Sequence, residues 1–199
     1  MTNAYSPATA PFAHDRFLAR RKIFELFSPK FYFSDELGNA IGFCKQKAFK
    51  LKEDIRLYTD QTMSHELLHI RARKILDFSS AYDVIDSATQ QQVGALKRRG
   101  LKSILKDEWV VMDSLDQDIG RIVEDSTALA LARRFVTDLI PQKFRFIVRG
   151  HEVGTAAQNW NFFAPKLSVD LTGDPGRELD RRLAIAAVIL LLAIEGRQG

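Results

Sequence analysis

The sequence predicts a mainly β protein: a closed antiparallel barrel of about twelve strands around a central hydrophobic C-terminal α-helix. Two observations carry that prediction. Near the end of the 199 residues, "LAIAAVILLLAI", Leu183 to Ile194, has no charged or polar side chain on any face. Ahead of it, a hairpin pattern built on Asp and Gly recurs along the chain. A helix apolar on every face must be enclosed on every face. A closed barrel does this, leaves no sheet edge exposed, and, when wide enough, has a lumen that strand side chains alone do not fill.

Taken in order, the start "MTNAYSPATAPFAHDRF" has neither a basic n-region nor an apolar h-region, so it is not read as a secretory signal. Residues 1–20 are assigned to a flexible tail and residues 21–199 to a single barrel domain, since no linker or shift of composition divides them. Three stretches then share an apolar strand that reaches Asp, turns, and returns through an apolar residue and Gly: "FYFSDELGNAIGF", "YDVIDSATQQQVGAL" and "WVVMDSLDQDIGRI". A fourth, "IRLYTDQTMSHELLHI", keeps the Asp without the Gly. Asp35, Asp60, Asp86 and Asp113 thus recur at about 26 residues, a hairpin-sized repeat. Asp at a turn entry accepts hydrogen bonds from backbone two or three residues on. Gly42, Gly94 and Gly120 on the return strands predict a bulge or a close approach by another element.

Two more hairpins are drawn around "LIPQKFRFIVRG" and from "HEVGTAAQNW" to "APKLSVDL". "STALALARRFVTD" is ambiguous, because its Ala and Leu favour a helix. The final helix is placed at about residues 175–195, with Asp174 as N-cap, Pro175 at the first helical position, and Gly196 and Arg197 at its stop. Its twelve apolar residues would cover roughly 18 Å, against about 30 Å of bilayer hydrocarbon. Extending it upstream would bury Asp180, Arg181 and Arg182, each at roughly 2.5 to 3.5 kcal/mol. It is therefore a barrel core and not a transmembrane span.

The motifs "YTD", "YDVID", "LKRRGLKSILKDEWVVMD", "IGRIVED", "LARRF", "LIPQ" and "LAIEGRQ", in this order from about Arg21 to Gln198, resemble the LURP-one-related proteins. These are relatives of phospholipid scramblases within the tubby C-terminal-like superfamily. The resemblance implies a twelve-stranded barrel around a central C-terminal helix. It implies a range of activities, from phosphoinositide binding through proposed lipid scrambling to plant defence. The chain lacks the Cys-rich palmitoylation segment and Pro-rich arm of the membrane-active relatives.

Chemistry-bearing strings are few. "HELLH", His65 to His69, fits the zinc-hydrolase pattern HExxH, which needs a helix and a third ligand. Ala72 and Ile75 stand where the extended motif has Gly and His, and the hairpin repeat places the segment on a strand. Asp170, Asp174, Glu178 and Asp180 lie where scramblase-like proteins carry a proposed calcium loop; the plainer reading is helix capping. "DSLDQDIGRIVE" is read as a hairpin turn in preference to an EF-hand loop. In "HIRARK", His69, Arg71 and Arg73 alternate with Ile70 and Ala72, as on a barrel wall facing water. Trp109, Trp160, Phe162 and Phe163 are expected to pack on the helix. A single cysteine, Cys44, excludes an intrachain disulfide and points to a reducing compartment.

No catalytic set assembles, so the expected function is a non-enzymatic cytosolic module without a cofactor. Its candidate site is the basic run Lys97, Arg98, Arg99, Lys102 and Lys106, which suits an anionic phospholipid or phosphoinositide headgroup. The net charge of +4 agrees with an acidic partner, and an inner-membrane surface would provide one. Nucleic acid is not expected, since the aromatics do not interleave with the basic run. Lipid translocation and a protein-interaction scaffold are the rival readings.

Overall fold

Twelve strands pair in chain order, each antiparallel to the next, and β1 closes the ring against β12. The computed structural model describes residues 11–22, 29–45, 54–73, 81–99, 108–125, 142–159 and 166–194. After a 3-10 turn at Pro11–Ala13 come β1 (Arg16–Lys22), β2 (Lys30–Ser34), β3 (Ala40–Lys45), β4 (Asp54–Tyr58), β5 (Glu66–Ala72) and β6 (Ala81–Asp86). Then follow β7 (Gln92–Arg98), β8 (Glu108–Met112), β9 (Asp118–Glu124), β10 (Lys143–Val148), β11 (His151–Gln158), β12 (Lys166–Asp170) and the helix α1 (Arg181–Ile194).

The predicted turn chemistry is present in all four repeats. Asp35 Oδ1 accepts from the backbone N–H of Leu37 and Asn39 at 2.9 and 2.8 Å, and Asp60 Oδ1 from Thr62 at 2.8 Å. Asp86 Oδ1 accepts from Ala88 and Thr89, and Asp113 Oδ1 from Leu115 and Gln117. Each return strand then carries a bulge, and the extra residues Ile41, Leu67, Val93 and Ile119 stand 26 residues apart. The β10–β11 hairpin repeats the device at Val153. Two of the three predicted glycines are explained by crowding: a Cβ on Gly94 would collide with the Met112 carbonyl, and one on Gly120 with that of Ile147, whereas one on Gly42 would make only ordinary contacts with Leu57, Pro11 and Phe33. Bulge and close approach therefore occur together on β7 and β9, and the bulges give the strands the bend that closure needs.

Inward-facing side chains from every strand and the helix form one cluster. From Leu183 to Ala193 every helical residue is buried. Trp109, 2% exposed, packs against Tyr82 at 5.9 Å between ring centroids, as expected of a core aromatic. Trp160, Phe162, Phe163 and the "STALALARRFVTD" stretch lie outside the described residues.

Two boundaries differ from the sequence reading. Residues 16–20, assigned to the tail, belong to β1, whose Phe17 and Ala19 are buried core residues. The helix begins at Arg181, six residues after the expected start, and its cap is Asp180, whose Oδ1 accepts from Arg182 N at 2.8 Å. Asp174 does other work. It is buried, accepts from the N–H of Glu178 and Leu179, and pairs with buried Arg181 at 2.7 Å. Arg181 also donates to Asp15 and to the carbonyls of Leu171, Asp174 and Leu179. This fully bonded guanidinium holds the turns before α1 in the barrel mouth.

Candidate functional site on the outer wall

The hairpin turns, from β2–β3 to β10–β11, lie at one end of the barrel, and the opposite strand ends, from Lys22 and Lys30 to Gln158 and Lys166, lie at the other, here called the connection end. Asp35, Glu36, Asp60, Asp86 and Asp113 sit at the hairpin end together with Arg16 and Arg149, and Lys22, Lys30, Lys45, Lys97, Lys143 and Lys166 sit near the connection end together with Asp54, Glu108 and Glu124.

Near the connection end, one region concentrates cations on the outer face. Strand alternation puts Phe17, Ala19, Phe31 and Cys44 inside, so Arg20, Lys22, Lys30 and Lys45 point outward. Registration sets them directly opposite one another: Lys22 faces Lys30, Lys30 faces Lys45, and Arg20 faces Lys166. Like charges directly opposed across strands are destabilising.

Beside these rows, a groove of about 300 Å³ runs over the outer faces of β1, β2 and β3, with Leu18, Tyr32 and Phe43 among its lining and the β4–β5 turn as its far wall. The Arg20 guanidinium lies over the Tyr32 ring, 5.5 Å from its centroid, and Tyr32 meets Phe43 edge-on at 5.3 Å. A stacked guanidinium keeps its in-plane N–H donors available for a planar or tetrahedral oxyanion. Among the described residues, neither Arg20 nor Lys166 has a carboxylate within ion-pair distance. Asp60, on the far wall, is held below the usual carboxylate range by hydrogen bonds from the Thr62 side chain and backbone.

The basic run chosen from the sequence is divided by the structure. Alternation places Lys97 outside with Ala95, and Arg99 also outside, 3.5 Å from Glu108. Arg98 is registered with core residue Trp109 on the opposite face. Lys102 and Lys106 lie outside the described residues. On the twelve-membered ring β7 stands across from β1, so this run and the groove occupy opposite walls.

The other motifs are absorbed by local structure. "HELLH" lies on β5 and the turn before it; Glu66 binds Arg56 at 2.6 Å and Ser87 at 2.8 Å, and His69 Nε2 lies 2.9 Å from Asp54. His69 and Arg71 alternate with buried Ile70 as expected. Asp170 is bonded to Arg16, Asp174 to Arg181 and Asp180 to Arg182, while Glu178 lies 3.9 Å from Arg149. Among the described residues, no three His, Cys, Asp or Glu side chains group as a metal site would require. Burial pushes the Cys44 thiol far up, so it stays protonated and unreactive. No helix among the described residues is long and apolar enough to cross a membrane.

The groove was missed from the sequence because Arg20 was placed in the tail and because opposed pairs exist only once register is known. The available signal was the strand-like alternation of Phe17 and Ala19 with Arg20 and Lys22. Comparison with known proteins agrees with the architecture at both ends. No curated protein and no solved structure matches the chain. A family model described as LURP-one-related matches residues 16–192, from the first residue of β1 into the last turn of α1. The chain belongs to the LURP-one-related family.

Proposed function

We propose that this chain is a non-enzymatic, cytosolic binding module that takes the phosphate of an anionic phospholipid headgroup on the outer wall of its barrel. The observation that supports this reading is the opposed pair Arg20–Lys166 at the rim of an aromatic groove, next to the Lys22–Lys30–Lys45 row. An oxyanion between opposed cations turns repulsion into charge-assisted hydrogen bonding. A membrane surface adds roughly 1 kcal/mol for each basic residue near it. Among the described residues α1 and the inward-facing strand side chains pack into one buried cluster, which supports a site on the exterior.

Flotation with vesicles containing an anionic phospholipid tests the reading. The wild-type chain should float at physiological salt, and the double variant Arg20→Glu, Lys166→Glu should remain at the bottom. A wild-type chain that ignores anionic vesicles removes the proposal. Binding that survives the double variant but is lost in Arg98→Glu, Arg99→Glu moves the site to the opposite wall.

A further inference from the structure

The groove is polarised, and its polarity specifies more than an anion. One end presents Arg20 and Lys166, the other Asp60, and among the described residues the first two have no carboxylate and the last no cation within ion-pair distance. Between them lie Tyr32 and Phe43. The Asp60 carboxylate spends Oδ1 on the Thr62 backbone N–H and hydroxyl, at 2.8 and 2.6 Å, and leaves Oδ2 with a single long contact of 3.4 Å to Thr59. A purely polyanionic ligand lying along this groove would bring negative charge towards Asp60, at a cost that rises as water is excluded.

We infer that the groove recognises a zwitterionic headgroup, a phosphate diester carrying a primary ammonium arm, with the phosphate at Arg20 and Lys166 and the ammonium directed to Asp60. The inference rests on the proposed phosphate site and adds the second charge. The ammonium crosses the Tyr32–Phe43 surface, where an aromatic face favours a cation, before it meets the carboxylate. A volume of about 300 Å³ suits a headgroup and falls at the lower end of small-molecule sites. The aminophospholipid class, with serine or ethanolamine headgroups, has this chemistry; phosphatidylglycerol and phosphoinositides lack the ammonium.

Titration with glycerophosphoserine and glycerophosphoglycerol, followed by calorimetry or by NMR shifts of labelled protein, compares a headgroup that carries an ammonium beside its carboxylate with one that carries neither. The two probes carry the same net charge, so general attraction to the basic wall is equal for both. The wild-type chain should prefer glycerophosphoserine by about tenfold, the effect of one charge-assisted hydrogen bond in a half-open groove. Asp60→Asn retains the Oδ1 acceptor for Thr62 and should bring the ratio to about one. Arg20→Gln with Lys166→Gln should weaken both probes. Equal wild-type binding of the two probes overturns the ammonium assignment and leaves the phosphate site standing. Failure of both probes while anionic vesicles still float also overturns it, and reduces recognition to surface attraction. Failure of probes and vesicles together removes the phosphate reading as well.

Discussion

Replacing Lys166 by Glu should make the barrel more stable and the site less effective. Lys166 on β12 is registered directly against Arg20 on β1, so the substitution converts a repulsive cross-strand pair into an attractive one. Opposed pairs of this kind are worth about 0.2 to 1 kcal/mol in either sense, which makes the expected swing about 1 kcal/mol. For a chain of this length that corresponds to a rise of roughly 2 to 4 °C in Tm. Both side chains reach solvent, so the gain should shrink in 1 M salt, where charges are screened within about 3 Å. Thermal melts by circular dichroism at low and high salt, paired with vesicle flotation, give the two readouts. The reversal changes the charge of the wall proposed to meet the membrane by two, or about 2 kcal/mol of attraction to an anionic surface. A Tm that falls or does not move at low salt would refute the opposed-charge reading, and unchanged flotation would refute the placement of the site.

Three further outcomes follow from the geometry. Asp174→Ala leaves the buried Arg181 guanidinium with the partly exposed Asp15 as its remaining carboxylate partner and should cost about 3 kcal/mol, measured by urea denaturation. Leu190→Asp places a carboxylate at a fully buried position of the lumen and should abolish folding; a soluble variant melting at the wild-type temperature would contradict an enclosed helix. Acid should destabilise the fold through Asp86 and Asp174. Burial raises the pKa of both, but hydrogen bonds from Arg182 and Arg181 and from backbone N–H groups more than offset it, and both end below the usual carboxylate range. Their folded-state values lie under those of the unfolded chain. Their contribution is complete above the unfolded value, near 4, and is lost as pH falls through the folded values. Melting temperatures measured against pH should be level above about pH 5 and drop steeply below about pH 4.

What the sequence determined by itself is local or periodic. Asp35, Asp60, Asp86 and Asp113 mark turns because a short side-chain acceptor meets backbone donors two to four residues away, whatever the rest of the chain does. The apolar run ending at Ile194 demands enclosure because a helix with no polar face has no face for water. Together they made the barrel and its core legible. Tertiary structure alone decided where the barrel closes and which charges meet. β1 is a strand because β12, some 150 residues away, supplies its partner: Arg16 is registered against Asp170. The helix starts at Arg181 and not beside Pro175 because Asp174 is taken by Arg181 in the barrel mouth. The basic run at Lys97, contiguous in sequence, is split between two faces by strand alternation, while Arg20 and Lys166, 146 positions apart, are joined by closure. A site on a barrel wall is read across the strands, and that direction is set by register, which no short stretch of chain encodes.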